Sequence, residues 1–150
     1  MESKLATARE LGATHIVDAS SRDPVQAIRD LTGGGVDYSF EAIGLKVAAE
    51  QAYECLRPGG TATIIGMIPV GQMVEIEGRT LLSEKKLQGS SMGSNRFRVD
   101  MPKYIDFYLQ GRLLLDEMIT RRGRLEDVNE AFRAMKVGEV ARSVLMFEAV

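Results

Sequence analysis

Val36–Gly66 reads VDYSFEAIGLKVAAEQAYECLRPGGTATIIG, and this stretch decides the fold class. Val36, Tyr38 and Phe40 alternate with polar residues, the period of a strand with one covered face. Ala48, Ala52, Cys55 and Leu56 then recur at helical spacing, and Pro58-Gly59-Gly60 stops that helix. Thr61–Ile65 is rich in β-branched residues, as expected of a buried strand. Strand, helix and strand joined by short loops form a βαβ unit, which requires a parallel sheet.

The pattern continues upstream. Asp23-Pro24 predicts an N-cap followed by proline at the first helical position, with Ile28 and Leu31 on one face and Gly33-Gly34-Gly35 as the stop. His15-Ile-Val-Asp18 reads as a short strand. Leu5, Ala8 and Leu11 mark an opening helix, with Gly12 at a left-handed C-terminal position. Downstream the alternation weakens. Val74–Glu77 and Leu87–Ser90 read as strands, and Met101, Tyr104, Ile105 and Tyr108 as a helix starting near Pro102. Val128, Ala131, Phe132 and Met135 mark a last helix, with Glu126 and Asp127 near its positive end. Arg142–Phe147 closes as a strand. There is no internal repeat and no low-complexity linker.

Composition narrows the chemistry. The chain has 150 residues, 45% of them apolar, and a net charge of −2 with mixed signs, so nucleic acid is not an expected partner. No apolar run spans a bilayer and residues 1–20 lack a signal-peptide pattern, so no membrane partner is expected either. With a single cysteine, Cys55, no internal disulfide forms, and a reducing, cytoplasmic location is expected. His15 and Cys55 are the only imidazole and thiol. They make neither a zinc site nor a catalytic triad, so no catalytic and no metal-binding residue is assigned.

Three glycine-containing stretches bear on binding. Gly33–Gly35 follows a helix and precedes a strand, the reverse of a phosphate-cradling loop, and reads as a helix stop. Gly66-Met-Ile-Pro-Val-Gly71 follows a strand, at the sheet edge where ligands of open α/β folds bind. Gly89-Ser-Ser-Met-Gly-Ser94 follows another, and its small side chains let a ligand approach the backbone, though the residues alone favour a plain flexible loop. Met67, Met73 and Met92 read as packing residues, His15 as structural, and Arg142 as a surface charge suited to a phosphate.

Five colinear stretches together resemble the zinc-dependent medium-chain alcohol dehydrogenases: KLATARELGAT (Lys4–Thr14), VDYSFEAIG (Val36–Gly44), LRPGGTATIIG (Leu56–Gly66), LQGSSM (Leu87–Met92) and LEDVNEAFRAMKVGEVARSVLMF (Leu125–Phe147). The likeness is to the branch containing liver-type alcohol dehydrogenases and thiol-dependent formaldehyde dehydrogenases, and to the C-terminal half of those enzymes. It implies an incomplete Rossmann-type parallel sheet over residues 1–112, and a segment over 113–150 that returns toward a catalytic domain. The family's GxGxxG turn, its NAD-selecting acidic residue and all its zinc ligands have no counterpart in this chain.

The same resemblance implies cofactor contacts. Lys4 would reach the adenosine ribose, and Ile43, Gly44 and Leu45 would line the adenine side of the cleft. Ile65, Gly66 and Met67 would lie beside the nicotinamide. The Ser90 carbonyl and Met92 amide would hold its carboxamide, and Arg142 the pyrophosphate. NAD is the implied coenzyme, with NADP open; zinc belongs to the full-length enzyme, whose substrate would be a small alcohol. Val74–Leu87 resembles the segment that joins two subunits, implying a homo-oligomer. A zinc-free quinone-reductase-like oxidoreductase and a non-catalytic interaction module are the rival readings.

Overall fold

A computed structural model describes residues 2–147, which fall into two compact units. One is Val17–Asn95; the other holds the described residues up to Ile16 together with those from Arg96 onward.

The first unit contains helix α2 (Pro24–Thr32), strand β1 (Val36–Glu41), helix α3 (Lys46–Glu54), strand β2 (Leu56–Ile64) and strand β3 (Lys86–Gly89). The strands form one parallel sheet in the order β1-β2-β3, the α/β arrangement expected from the alternation. α2 begins as its sequence predicts: the Asp23 carboxylate accepts the N–H groups of Val25 and Gln26. It ends on Gly33, which takes the left-handed conformation at φ +67° and donates its N–H to the Arg29 carbonyl. Tyr53 and Leu56 are fully buried against Ala62, with Val36, Ala52 and Ile76 packed around them. Burying two side chains of that size contributes about 1.5–3 kcal/mol each. The Tyr53 hydroxyl remains satisfied, 3.0 Å from Thr80 Oγ1.

The second unit contains helix α1 (Glu2–Glu10), helix α4 (Phe97–Leu109), strand β4 (Arg121–Arg124), helix α5 (Val128–Lys136) and strand β5 (Ser143–Met146). β4 and β5 pair in parallel. Their entry is pinned by Thr120 and Arg142: the Arg142 carbonyl accepts the N–H of Thr120 at 3.0 Å and of Arg121 at 3.2 Å.

Several expectations are corrected. His15–Asp18 and Val74–Glu77 are not strands. A strand exists through its ladder, and among the described residues β1 has β2 as its one neighbour while neither segment gains any. Val74–Glu77 is instead held by the Glu75 N–H on Glu50 Oε1 at 2.8 Å and by the packing of Ile76. α3 stops at Glu54, so Cys55 and Leu56 lie beyond it, and its buried positions are Ala49 and Tyr53. Pro58-Gly59-Gly60 lies inside β2, where the register with β1 shifts between Val36 and Tyr38. α4 starts at Phe97, before Pro102, because the Asp100 carboxylate accepts the Arg96 N–H at 2.7 Å and closes the first turn. β4, with the sequence Arg-Arg-Gly-Arg, carries no strand signature and owes its form to β5. Leu31, Phe132 and Met135 are exposed, and so are Met67, Met73 and Met92, which do not act as packing residues. His15 is exposed in an irregular segment, 3.1 Å from Thr14 Oγ1.

Candidate functional site

The register of the sheet sets the site. Glu41 lies opposite Ile64, and Ile64 opposite Gly89, so the three strands finish level with one another. The segments leaving them therefore emerge along one edge, the carboxyl edge at which open parallel sheets bind ligands. They are Ile43–Leu45 after β1, Ile65–Met67 after β2, and Ser90–Met92 after β3. The structure thus gathers the eight implied cofactor contacts of this unit on one edge: Ile43, Gly44, Leu45, Ile65, Gly66, Met67, Ser90 and Met92. Ile65, expected as the last residue of its strand, lies just beyond it.

Glu41 builds the first of these turns. Its side chain is 3% exposed, and Oε1 accepts N–H bonds from Ile43 at 2.7 Å, Gly44 at 2.6 Å and Leu45 at 3.4 Å. Its backbone carbonyl accepts the N–H of Ile65 at 2.7 Å and of Gly66 at 3.1 Å. One residue therefore ties the turn after β1 to the segment after β2. Glu41 Oε2 is buried without a hydrogen-bond partner among the described residues. An orphaned buried acceptor of this kind costs about 1–3 kcal/mol. The carboxylate also lies at the entry to α3, where the amino end of a helix favours negative charge.

Two glycines let these segments touch. A Cβ on Gly66 would stand 2.1 Å from the Gly44 nitrogen and 2.6 Å from Glu41 Oε2. A Cβ on Gly44, whose φ is +86°, would stand 2.6 Å from the Met67 carbonyl oxygen. The backbones meet with no side chain between them, leaving Ile43 and Leu45 to project outward at 75% and 50% exposure. At the third strand, the Ser90 N–H donates to the Ile64 carbonyl at 2.9 Å and extends the ladder by one residue. Met92 and Gly93 both turn left-handed, and the Asn95 side chain holds the Met92 carbonyl at 2.9 Å.

The remaining implied contacts belong to the other unit. Lys4 is exposed on α1. Arg142 immediately precedes β5 with its backbone held by Thr120, and lines a cavity of about 330 Å³ with Val128, Phe132, Met135 and Leu145.

Neither reactive side chain is arranged for catalysis. The Cys55 thiol is buried beside the Ala52 carbonyl, and burial pushes its pKa up, away from the thiolate form a nucleophile needs. Among the described residues no three His, Cys, Asp or Glu side chains converge to hold a metal ion. Zinc therefore does not fit the described residues of this chain. The space at Gly44 and Gly66 is filled by neighbouring backbone, and the exposed side chains of Ile43, Leu45 and Met67 are what this edge presents to a ligand. Glu41 was not singled out by sequence reasoning. Its signal is an acidic residue ending an alternating strand, just before a glycine-containing turn that leads into a helix.

Known proteins share this fold. The profile of the zinc-binding dehydrogenase family matches residues 1–110. An S-(hydroxymethyl)glutathione dehydrogenase of Paracoccus denitrificans is 33% identical over 154 aligned residues, covering 97% of this chain and 41% of the relative. The crystal structure of an alcohol dehydrogenase zinc-binding domain protein from Burkholderia ambifaria superposes with a TM-score of 0.90 at 32% identity, over 99% of this chain and 40% of that one. A zinc-binding dehydrogenase from Sinorhizobium meliloti 1021, solved bound to NADP, superposes with a TM-score of 0.77 at 29% identity, over 100% of this chain and 41% of that one. This chain thus spans about two-fifths of the length of such relatives. It belongs to the zinc-binding dehydrogenase family and corresponds to the C-terminal part of the medium-chain, zinc-type alcohol dehydrogenases.

Proposed function

We propose that this chain is the coenzyme-binding part of an NAD-dependent alcohol dehydrogenase that oxidises small alcohols to aldehydes or ketones, and that it is inactive by itself. The observation that carries the reading is the level ending of β1, β2 and β3, with Gly44 and Gly66 in backbone contact along that edge. A bound nicotinamide would supply the hydride acceptor. The chain's own residues bind and orient: Ile43, Gly44 and Leu45 on the adenine side, Ile65, Gly66 and Met67 beside the nicotinamide, Ser90 and Met92 on its carboxamide. Lys4 for the adenosine ribose and Arg142 for the pyrophosphate are assigned by resemblance.

In this reading residues 1–112 belong to the coenzyme domain and 113–150 to the return toward a catalytic domain. Zinc and its ligands come from sequence outside this chain, the enzyme is cytoplasmic, and subunits pair through Val74–Leu87. The relative solved with NADP keeps that coenzyme in the comparison, so both are titrated.

The test is calorimetric titration with NAD and with NADP. The chain has no strand-glycine-helix phosphate cradle, and one charge-assisted bond contributes about 1.5–3 kcal/mol. Micromolar affinity needs about 8 kcal/mol. The expected dissociation constant is therefore millimolar. A low-micromolar constant would overturn the argument from the missing cradle, and no saturable shift of the amides at the strand ends at tens of millimolar NAD would overturn the coenzyme reading.

A further inference from the structure

Glu41 does more than close a turn, and we propose that it is the positioning residue of the coenzyme edge, setting the spacing between the Ile43–Leu45 turn and the Ile65–Gly66 backbone. This inference rests on the coenzyme reading above. Three N–H groups converge on Oε1, and two more converge on the same residue's carbonyl, so five backbone donors from two segments meet on one residue. A Ser hydroxyl closes such turns with a single oxygen and no second polar atom to bury. Glutamate instead leaves Oε2 buried and unpartnered against Gly66, where even a methyl group would not fit. A costly buried group that native structure retains marks a place where geometry is being held for a purpose. Here it holds a stiff backbone edge from which Ile43 and Leu45 project as an exposed apolar surface. Such an edge is already ordered before a flat, apolar ring meets it, which removes part of the cost of binding.

The experiment uses the full chain labelled with ¹⁵N, comparing wild type with Glu41→Gln, which keeps the shape and removes the charge. Amide hydrogen exchange should speed up by about tenfold or more at Ile43, Gly44 and Leu45, whose bonds to a charged acceptor are weakened, and should also rise at Ile65 and Gly66, which bond the Glu41 carbonyl, as the turn that holds it loosens. Exchange in the β2–β3 ladder should not change. NAD titration followed by amide shifts should then show affinity reduced about fivefold or more in the variant. Unchanged exchange at these five amides, or uniform loosening of the whole sheet, would overturn the proposal. So would loosened amides with wild-type NAD affinity, which would leave the coenzyme reading intact. Absence of any NAD-induced shift in the wild type would overturn both together. Should Glu41→Gln fail to fold, Glu41→Asp carries the same comparison: it keeps the charge but is one methylene too short to serve all three N–H groups.

Discussion

Replacing Gly66 with alanine tests the close approach of the Gly44 and Gly66 backbones. The φ of Gly66 lies outside the left-handed region, so alanine can adopt its backbone conformation and the substitution reads sterics alone. The new methyl would sit 2.1 Å from the Gly44 nitrogen and 2.7 Å from the Gly44 Cα, both backbone atoms that cannot swing away. Overpacking a dense site costs about 1–3 kcal/mol, and an obstruction made of backbone belongs at the upper end. At a urea m-value of about 2 kcal/mol/M, a loss of about 3 kcal/mol lowers the unfolding midpoint by about 1.5 M. Gly78→Ala and Gly89→Ala are the controls, since at both sites an added Cβ meets nothing within 4 Å. Each should stay within about 0.5 kcal/mol of wild type. The assay is urea unfolding followed by circular dichroism. If Gly66→Ala behaves like the controls, the two segments do not touch as described, and the reasoning about the edge fails with them.

Four further outcomes are expected. Asp23→Ala removes the side chain that accepts the Val25 and Gln26 N–H groups, and should cost about 1 kcal/mol in the same assay; a neutral result would refute the cap. The Arg133 guanidinium, helped by Arg121, holds the Glu130 carboxyl down from 4.5 to about 2. A depressed folded-state pKa contributes stability above pH 4.5 that is lost as pH falls toward 2, so Glu130→Gln should flatten the stability profile in that window; at this exposed site the effect is small, and an unaltered profile would count against the pairing. The chain mixed with zinc, NAD and primary alcohols should form no NADH, and zinc-dependent turnover would show a metal site that the described residues do not reveal. Sedimentation at tens of micromolar should show dimers or larger species, because Leu81 and Leu82 are exposed in the segment proposed to pair; a clean monomer would remove that assignment.

Most of the local structure was legible because it is encoded within a few residues. The Asp23-Pro24 cap, the left-handed stops at Gly12 and Gly33, and the strand-helix-strand order over Val36–Ile64 each depend on neighbours in sequence. The errors share a different origin. His15–Asp18 and Val74–Glu77 have extended-strand composition but no ladder partner, whereas Arg121–Arg124 lacks that composition and has one. Burial failed in the same way. Tyr38 and Phe40 alternate as an apolar face should, yet are 69% and 68% exposed, since the sheet ends at β1 among the described residues. In α3 the apolar period runs past the true helix end, so the face was read one residue out of phase.

The order of residues alone therefore determined the family and the α/β class. It did so because motifs, caps and periodicities are properties of contiguous chain. Only the tertiary structure decided that Glu41, Ile64 and Gly89 stand level, that Gly44 and Gly66 meet backbone to backbone, and that the Glu41 carbonyl accepts the N–H groups of Ile65 and Gly66. Those relations lie between residues more than twenty positions apart. They depend on ladder register and on ångström-scale approach, neither of which leaves a pattern in the local sequence.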